Sequence, residues 1–289
     1  MAAELGYDLD ALELPPIARL SDAMQSLFDY AKELERSIAL PMDLDAIEGR
    51  RFLLRMLAES VDVFVEHSTV DAPEFRHAEG PHRKMFADNP DTDYLRAPIR
   101  LDDGRVYALR GRIPTGTCYA GILLYGKGGR IGNRFVDRDI PVDADGRFDI
   151  RIATTAQEGF PTLVGYGDET AVMVRQYFTD RGAEEPLEVS IELVGALPEP
   201  SVLDADWLAR RVYLSERMLK AIFERTLMAY GMASKAALNQ FIQIPGEALF
   251  PTPDNTYQVC WYRFGRDQVL RLRGTLPKSR YFSLVLYNA

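Results

Sequence analysis

VYALRGRIP, residues 106–114, returns 163 positions later as VLRLRGTLP, residues 269–277. The likeness extends on both sides: Pro90–Pro114 and Pro253–Pro277 agree at nine of 25 positions, Pro90, Asp91, Tyr94, Arg100, Val106, Leu109, Arg110, Gly111 and Pro114. That density predicts duplication of a structural unit. A one-residue shift at Gly116 then aligns Tyr119, Leu124 and Tyr125 with Tyr281, Leu286 and Tyr287.

Side chains alternate faces along a strand, so each copy has two sides. Leu95, Ala97, Ile99 and Leu101 in the first copy, and Gln258, Cys260, Tyr262 and Phe264 in the second, form mainly apolar faces expected to lie in a core. The opposite face carries Tyr94, Arg96 and Arg100 against Tyr257, Val259, Trp261 and Arg263. Reading the first two strands of each unit as a hairpin adds Arg110 or Arg273 to this aromatic-plus-arginine side.

Around the first copy the pattern keeps a period of two. Tyr94–Leu101, Val106–Arg112, Tyr119–Tyr125, Phe135–Val142, Phe148–Ile152, Thr162–Tyr166, Ala171–Phe178 and Leu187–Val194 read as strands. Turn pairs such as Asp103-Gly104, Asp145-Gly146 and Gly167-Asp168 separate them. Short strands with frequent turns and no intervening helices predict an antiparallel sandwich.

The flanks read as helical. Ser21–Leu40 spaces Met24, Leu27, Phe28, Ala31, Leu34 and Ile38 at helical intervals, and a second helix is expected from an Asp45 cap through Val65. After the proline-bearing linker Ala196–Ser201, Trp207–Tyr230 repeats apolar residues at three and four, with Asp204 placed to cap. A shorter helix is expected over Ser234–Ile242. The fold class is therefore α+β: a jelly-roll-like antiparallel β-sandwich with an N-terminal helical hairpin and a long helix before a second, partial copy of the β unit. The expected boundaries are 1–87 helical, 88–198 sandwich, 199–250 helical, and 251–289 repeat, either paired into the first sheet or truncated.

Composition bounds the function. The chain of 289 residues is 47% hydrophobic and 27% charged, with formal net charge −9. An acidic balance argues against nucleic acid or an anionic membrane as general partner. No run of apolar residues is long enough for a membrane span, and the acidic N-terminus lacks the pattern of a secretory signal. A cytoplasmic protein with two free thiols, Cys118 and Cys260, is expected.

Several short motifs together are similar to a known family. PEF at Pro73, DNPD at Asp88–Asp91, Tyr94, RGxxP, LLYG, VDADGRF at Val142–Phe148 and VRQYF at Val174–Phe178 resemble the bacterial proteins carrying domain of unknown function 1214. The resemblance spans about residues 45–289. It implies a jelly-roll sandwich with accompanying helices, no agreed activity, and further sandwich after the RYFSLVLYN-type strand.

Candidate chemistry is sparse. His67, His77 and His82 sit in one segment with several carboxylates, but their spacings put no two rings on one helix face, so a polar connection is expected and no metal. There is no nucleophile elbow, and GKGGRIG (126–132) has neither the spacing nor the following helix of a phosphate loop. The aromatic-plus-arginine face remains: Tyr94, Tyr257 and Trp261 can stack on a sugar or planar ligand, and Arg110 and Arg273 can grip an anion. Three roles follow. A module binding a small carbohydrate-like or anionic ligand, or a scaffold, comes first. A hydrolase or lyase using Asp91 and Asp254 as acid/base groups with the two arginines comes second, and a structural oligomer-forming protein third. No cofactor is expected, and homo-oligomerisation is left open.

Overall fold

The computed structural model describes residues 19–38, 43–79, 88–101, 104–127, 130–195, 204–233, 238–243 and 255–287. Among them are three helices and eleven strands in mostly antiparallel sheets, an α+β fold without a closed barrel.

Helices α1 (Leu20–Ser37) and α2 (Asp43–Val61) form the expected hairpin against α3 (Ala205–Ala233). Their apolar stripes meet in one cluster: Leu27 and Leu34 from α1, Leu53 and Met56 from α2, Val212, Leu219, Ile222 and Phe223 from α3. Ser60 and Ser215 are small enough to let α2 and α3 approach, and the Ser215 hydroxyl donates to the Ser60 carbonyl at 3.0 Å. Asp204 caps α3 as expected, its carboxylate accepting the Trp207 N–H at 2.7 Å. Two expectations need correction. The second helix starts at Asp43, so Asp45 lies in its first turn and is not the cap. Of the segment read as Ser234–Ile242 helix, the described part is a turn through Asn239, with φ of 61°, and the strand β10 (Ile242–Gln243). A left-handed residue stops a helix there.

Seven of the eight predicted strands lie close to where they were expected, and β1 (Arg76–Glu79) is added inside sequence read as helical; the strand expected at Phe135–Val142 instead ends at Val136, because Asp137 takes a positive φ of 50° and starts a single 3-10 turn, Asp137–Asp139. The remaining strands are β2 (Thr92–Pro98), β3 (Tyr107–Arg112), β4 (Tyr119–Gly126), β5 (Ile131–Val136), β6 (Arg147–Ala153), β7 (Thr162–Val164), β8 (Glu169–Tyr177) and β9 (Glu188–Leu193). One sheet runs β1-β2-β8-β4-β5 and the facing sheet β7-β6-β3-β9. Between them lie Ala97, Ile99, Leu101, Leu109, Ile122, Leu124, Ile150, Ile152, Val172 and Val174. Leu95, Ala97, Ile99 and Leu101 thus take the core side that parity predicts.

Strands β2 and β3 belong to opposite sheets, so they are not the two arms of a hairpin. β2 ends at Pro98 in one layer and β3 begins at Tyr107 in the other. Tyr107 anchors the far side, fully buried, its hydroxyl donating to the Val70 carbonyl at 3.1 Å and accepting the Arg100 N–H at 3.1 Å. Burial raises the pKa of this phenol. The crossover consequently places Arg110 on the outer face of one sheet and Tyr94 on the outer face of the other.

The second copy does not repeat this construction. Gln258–Val259, β11, pairs antiparallel with β10, and no other ladder includes residues 255–287 among the described residues. Tyr262 and Phe264, expected in a core, are exposed and stack on each other at 5.6 Å, while Tyr257 and Trp261 are half-buried. The segment lays its tyrosine side on the first sandwich, which turns the other side outward.

Gly111 marks the tightest approach in the sandwich. A Cβ there would meet the Glu188 carbonyl oxygen at 2.1 Å and the Phe148 ring at 2.6 Å. Gly111→Ala is expected to lower stability by about 1–3 kcal/mol in chemical denaturation, with an unchanged slope.

Candidate functional site

The outer face of the five-stranded sheet follows from alternation. With Leu95, Ala97, Ile122, Leu124, Val172 and Val174 turned inward, Tyr94 and Arg96 on β2, Met173, Arg175 and Tyr177 on β8, and Tyr119, Leu123 and Tyr125 on β4 turn outward. In the register, Arg175 on the central strand sits between Tyr94 and Gly121. A Cβ at Gly121 would meet the Tyr119 hydroxyl at 3.1 Å and Leu123 Cδ1 at 3.3 Å.

Arg175 is 3% exposed. Its Nη2 donates to the Tyr125 hydroxyl at 2.7 Å, its Nε points at the Met173 sulfur at 3.4 Å, and its Cζ lies 5.4 Å from the Tyr94 ring centre. Burial works against the charge, but the phenols of Tyr125, Tyr177, Tyr94 and Tyr257 outweigh it, so the pKa is raised above the ordinary arginine value. Arg96 on the same face shows the opposite balance: burial lowers its pKa, and the Glu59 carboxylate of α2 restores only part.

Residues 255–287 cross this face and are pinned to it by tyrosines. Tyr281 donates to Asp91 Oδ2 at 2.8 Å and accepts from Asn89 Nδ2 at 2.7 Å, and its ring lies 5.1 Å from that of Tyr177. Asn255 Nδ2 donates to Tyr177 at 2.8 Å and reaches the Tyr257 hydroxyl at 3.3 Å. Tyr287 donates to the Asp88 carbonyl at 3.0 Å, and Arg280 pairs with Asp137 at 2.5 Å. Burial raises the Tyr281 pKa.

The sequence-predicted site residues are therefore divided. Tyr94 and Tyr257 come together around Arg175. Trp261 is half-buried, near the β10–β11 pair, its carbonyl accepting the Asn239 N–H at 2.8 Å. Arg110 lies across the sandwich, held by Asp149 and Glu192, and Arg273 is exposed. Asp91 is occupied by Tyr281, so Asp91 and Arg110 do not converge; Asp254 and His82 lie outside the described residues. His67 Nδ1 lies 3.0 Å from Asp62, His77 is on β1, and no group of three metal-ligating side chains occurs among the described residues. A pocket of about 90 Å³ at the β1–β2–β8 end is lined by His77, Asp93, Leu95, Val174, Gln176, Pro186 and Leu187. The Gln176 amide there is engaged at both ends, by the Leu187 N–H and the Glu185 carbonyl.

Sequence reasoning missed Arg175, Tyr177, Tyr125 and Asn89 as site residues. Extending the parity argument to VRQYF and LLYG finds Arg175, Tyr177 and Tyr125; Asn89, in DNPD, precedes β2 and lies in no strand, so alternation does not mark it.

The sequence matches no family model and no curated protein. Among solved structures, an uncharacterised protein from Burkholderia cenocepacia is similar over 78% of this chain, with 24% identity and a TM-score of 0.64. A protein from Vibrio parahaemolyticus aligns over 81% of the chain with 11% identity and a TM-score of 0.35, covering 63% of its own length. The Burkholderia likeness shows the α+β fold. This chain spans 62% of that protein's length.

Two outcomes test the local energetics. Arg110→Ala, which removes exposed ion pairs, is expected to cost at most about 1 kcal/mol in denaturation. Tyr281→Phe is expected to cost about 1 kcal/mol. The raised Tyr281 pKa contributes stability that is full below the unfolded phenol value, about pH 10, and is lost as pH rises through the folded value. An alkaline denaturation series is thus expected to fall less steeply for Tyr281→Phe than for the parent.

Proposed function

We propose that the protein is a non-catalytic binding module for a small anionic or sugar-like ligand, held in the tyrosine-lined seam between the first sandwich and residues 255–287. The carrying observation is Arg175: a buried guanidinium that donates to the Tyr125 hydroxyl and lies 5.4 Å from the Tyr94 ring centre, with the phenols of Tyr177 and Tyr257 also near enough to favour its charge. Rings supply flat apolar faces to a sugar or aromatic acid, and the guanidinium supplies a fork for a carboxylate or sulfate. Asn89 and Asn255 add amides of the kind that recognise hydroxyls.

The same reading keeps the internal duplication, the jelly-roll type of the sandwich and the kinship with proteins carrying domain of unknown function 1214. Supporting them are the nine shared positions and the tyrosines aligned with Tyr94, Tyr119 and Tyr125, namely Tyr257, Tyr281 and Tyr287. A cytoplasmic setting accords with the free cysteines Cys118 and Cys260. No helix among the described residues is long and apolar enough to cross a membrane.

A second reading makes the seam a structural lock, and the direct Tyr281–Asp91 and Asn255–Tyr177 hydrogen bonds favour it. Thermal-shift titration with uronic acids, aromatic carboxylates and sulfated sugars separates the two. Binding predicts a saturable rise in melting temperature that Arg175→Met abolishes and Tyr257→Phe weakens. A lock predicts no ligand-dependent shift in the parent, with both variants simply melting earlier.

A further inference from the structure

Arg175 faces the seam from one side of β8, and its neighbours Val174 and Gln176 turn the other way, into the sandwich. There, at the end of the layers where β2 and β9 begin, lies the pocket of about 90 Å³. Leu95 and Val174 line it from one sheet, and Pro186 and Leu187, which lead into β9 of the other, line it opposite. Gln176, 2% exposed, holds that second wall in place: its amide donates to the Glu185 carbonyl and accepts the Leu187 N–H. The other two polar groups of the lining are uncommitted. His77 makes no side-chain hydrogen bond or ion pair among the described residues. Arg181 donates to Asp93 Oδ1 at 2.8 Å, and the second oxygen of that carboxylate has no partner among the described residues.

We propose that this pocket is a further binding site, for a small primary ammonium on a short alkyl chain. The ammonium donates to the free oxygen of Asp93 and to an imidazole nitrogen of His77, while the alkyl chain lies against Leu95, Val174, Pro186 and Leu187. Size sets the length of the ligand. A cavity of about 150 Å³ holds benzene, so this one takes roughly four non-hydrogen atoms, those of propylammonium. Charge sets the sign: the adjoining stretch 179–185 carries Asp180, Glu184 and Glu185 against Arg181 alone, and a carboxylate ligand would also face Asp93. The pocket lies on the opposite side of the five-stranded sheet from Arg175, so this inference stands whether or not the seam holds a ligand.

The experiment titrates the full chain with propylamine hydrochloride and follows the NMR signals of the His77 ring and the Gln176 side-chain amide. Saturation is expected with a Kd on the order of 1 mM, the scale for so small a ligand. Asp93→Asn should weaken binding by about tenfold, and His77→Phe should weaken it as well, both with melting temperatures near that of the parent. Arg181→Ala should strengthen binding, because the arginine competes with the ligand for Asp93. Propan-1-ol and propanoate serve as the neutral and anionic counterparts. No saturable shift, shifts that leave His77 and Gln176 unmoved, equal affinity for propan-1-ol or propanoate, or parent-like affinity in Asp93→Asn would overturn the proposal.

Discussion

A guanidinium withdrawn from water has to be surrounded by oxygen and ring faces that keep its charge tolerable, and Arg175 imposes that requirement on the outer face of the five-stranded sheet. The sheet meets part of it through Tyr94, Tyr125 and Tyr177, brought alongside by antiparallel register. The rest comes from a distant part of the sequence, since Tyr257 and its neighbours reach the arginine only because residues 255–287 lie across the face. Burying this one cation therefore ties residues 255–287 to the five-stranded sheet.

That arrangement has a consequence on the other side of the covering segment. A strand with alternating side chains cannot present both its faces to one sheet. Tyr281, Ser283 and Val285 turn toward the sandwich and are half-buried, so Phe282, Leu284 and Leu286 turn away. The first copy solves the same problem with a second layer: β6, β3 and β9 cover the apolar side of β2, β8 and β4. The two similar stretches of sequence are thus placed differently, one inside the sandwich and the other across its outer face with large apolar side chains turned away.

The two sets of arginines show how position changes the meaning of one residue type. Arg110 and Arg112 are solvent-side cations paired with carboxylates of neighbouring strands, a role that contributes little to stability and does fit neighbouring strands to one another. Arg175, buried among phenols, is costly to hold without its surroundings and so couples sheet, loop and covering segment. Composition treats them alike.

Much of the fold was legible in the chain itself. Seven of the eight strands, the helical hairpin, the Asp204 cap and the inward side of Leu95–Leu101 all follow from period, turn chemistry and capping, which depend on neighbours in sequence. The site was only half legible: Tyr94 and Tyr257 were found by parity, but Arg110 and Arg273 were grouped with them by assuming a hairpin. Whether two successive strands pair or cross to opposite layers is not written in alternation, because both solutions bury the same side chains. Nor does alternation say what a given face will pack against, as the exposed Tyr262 and Phe264 show. Local rules set which residues share a face; the packing of layers alone decided which faces meet, and with that the surroundings of Arg175.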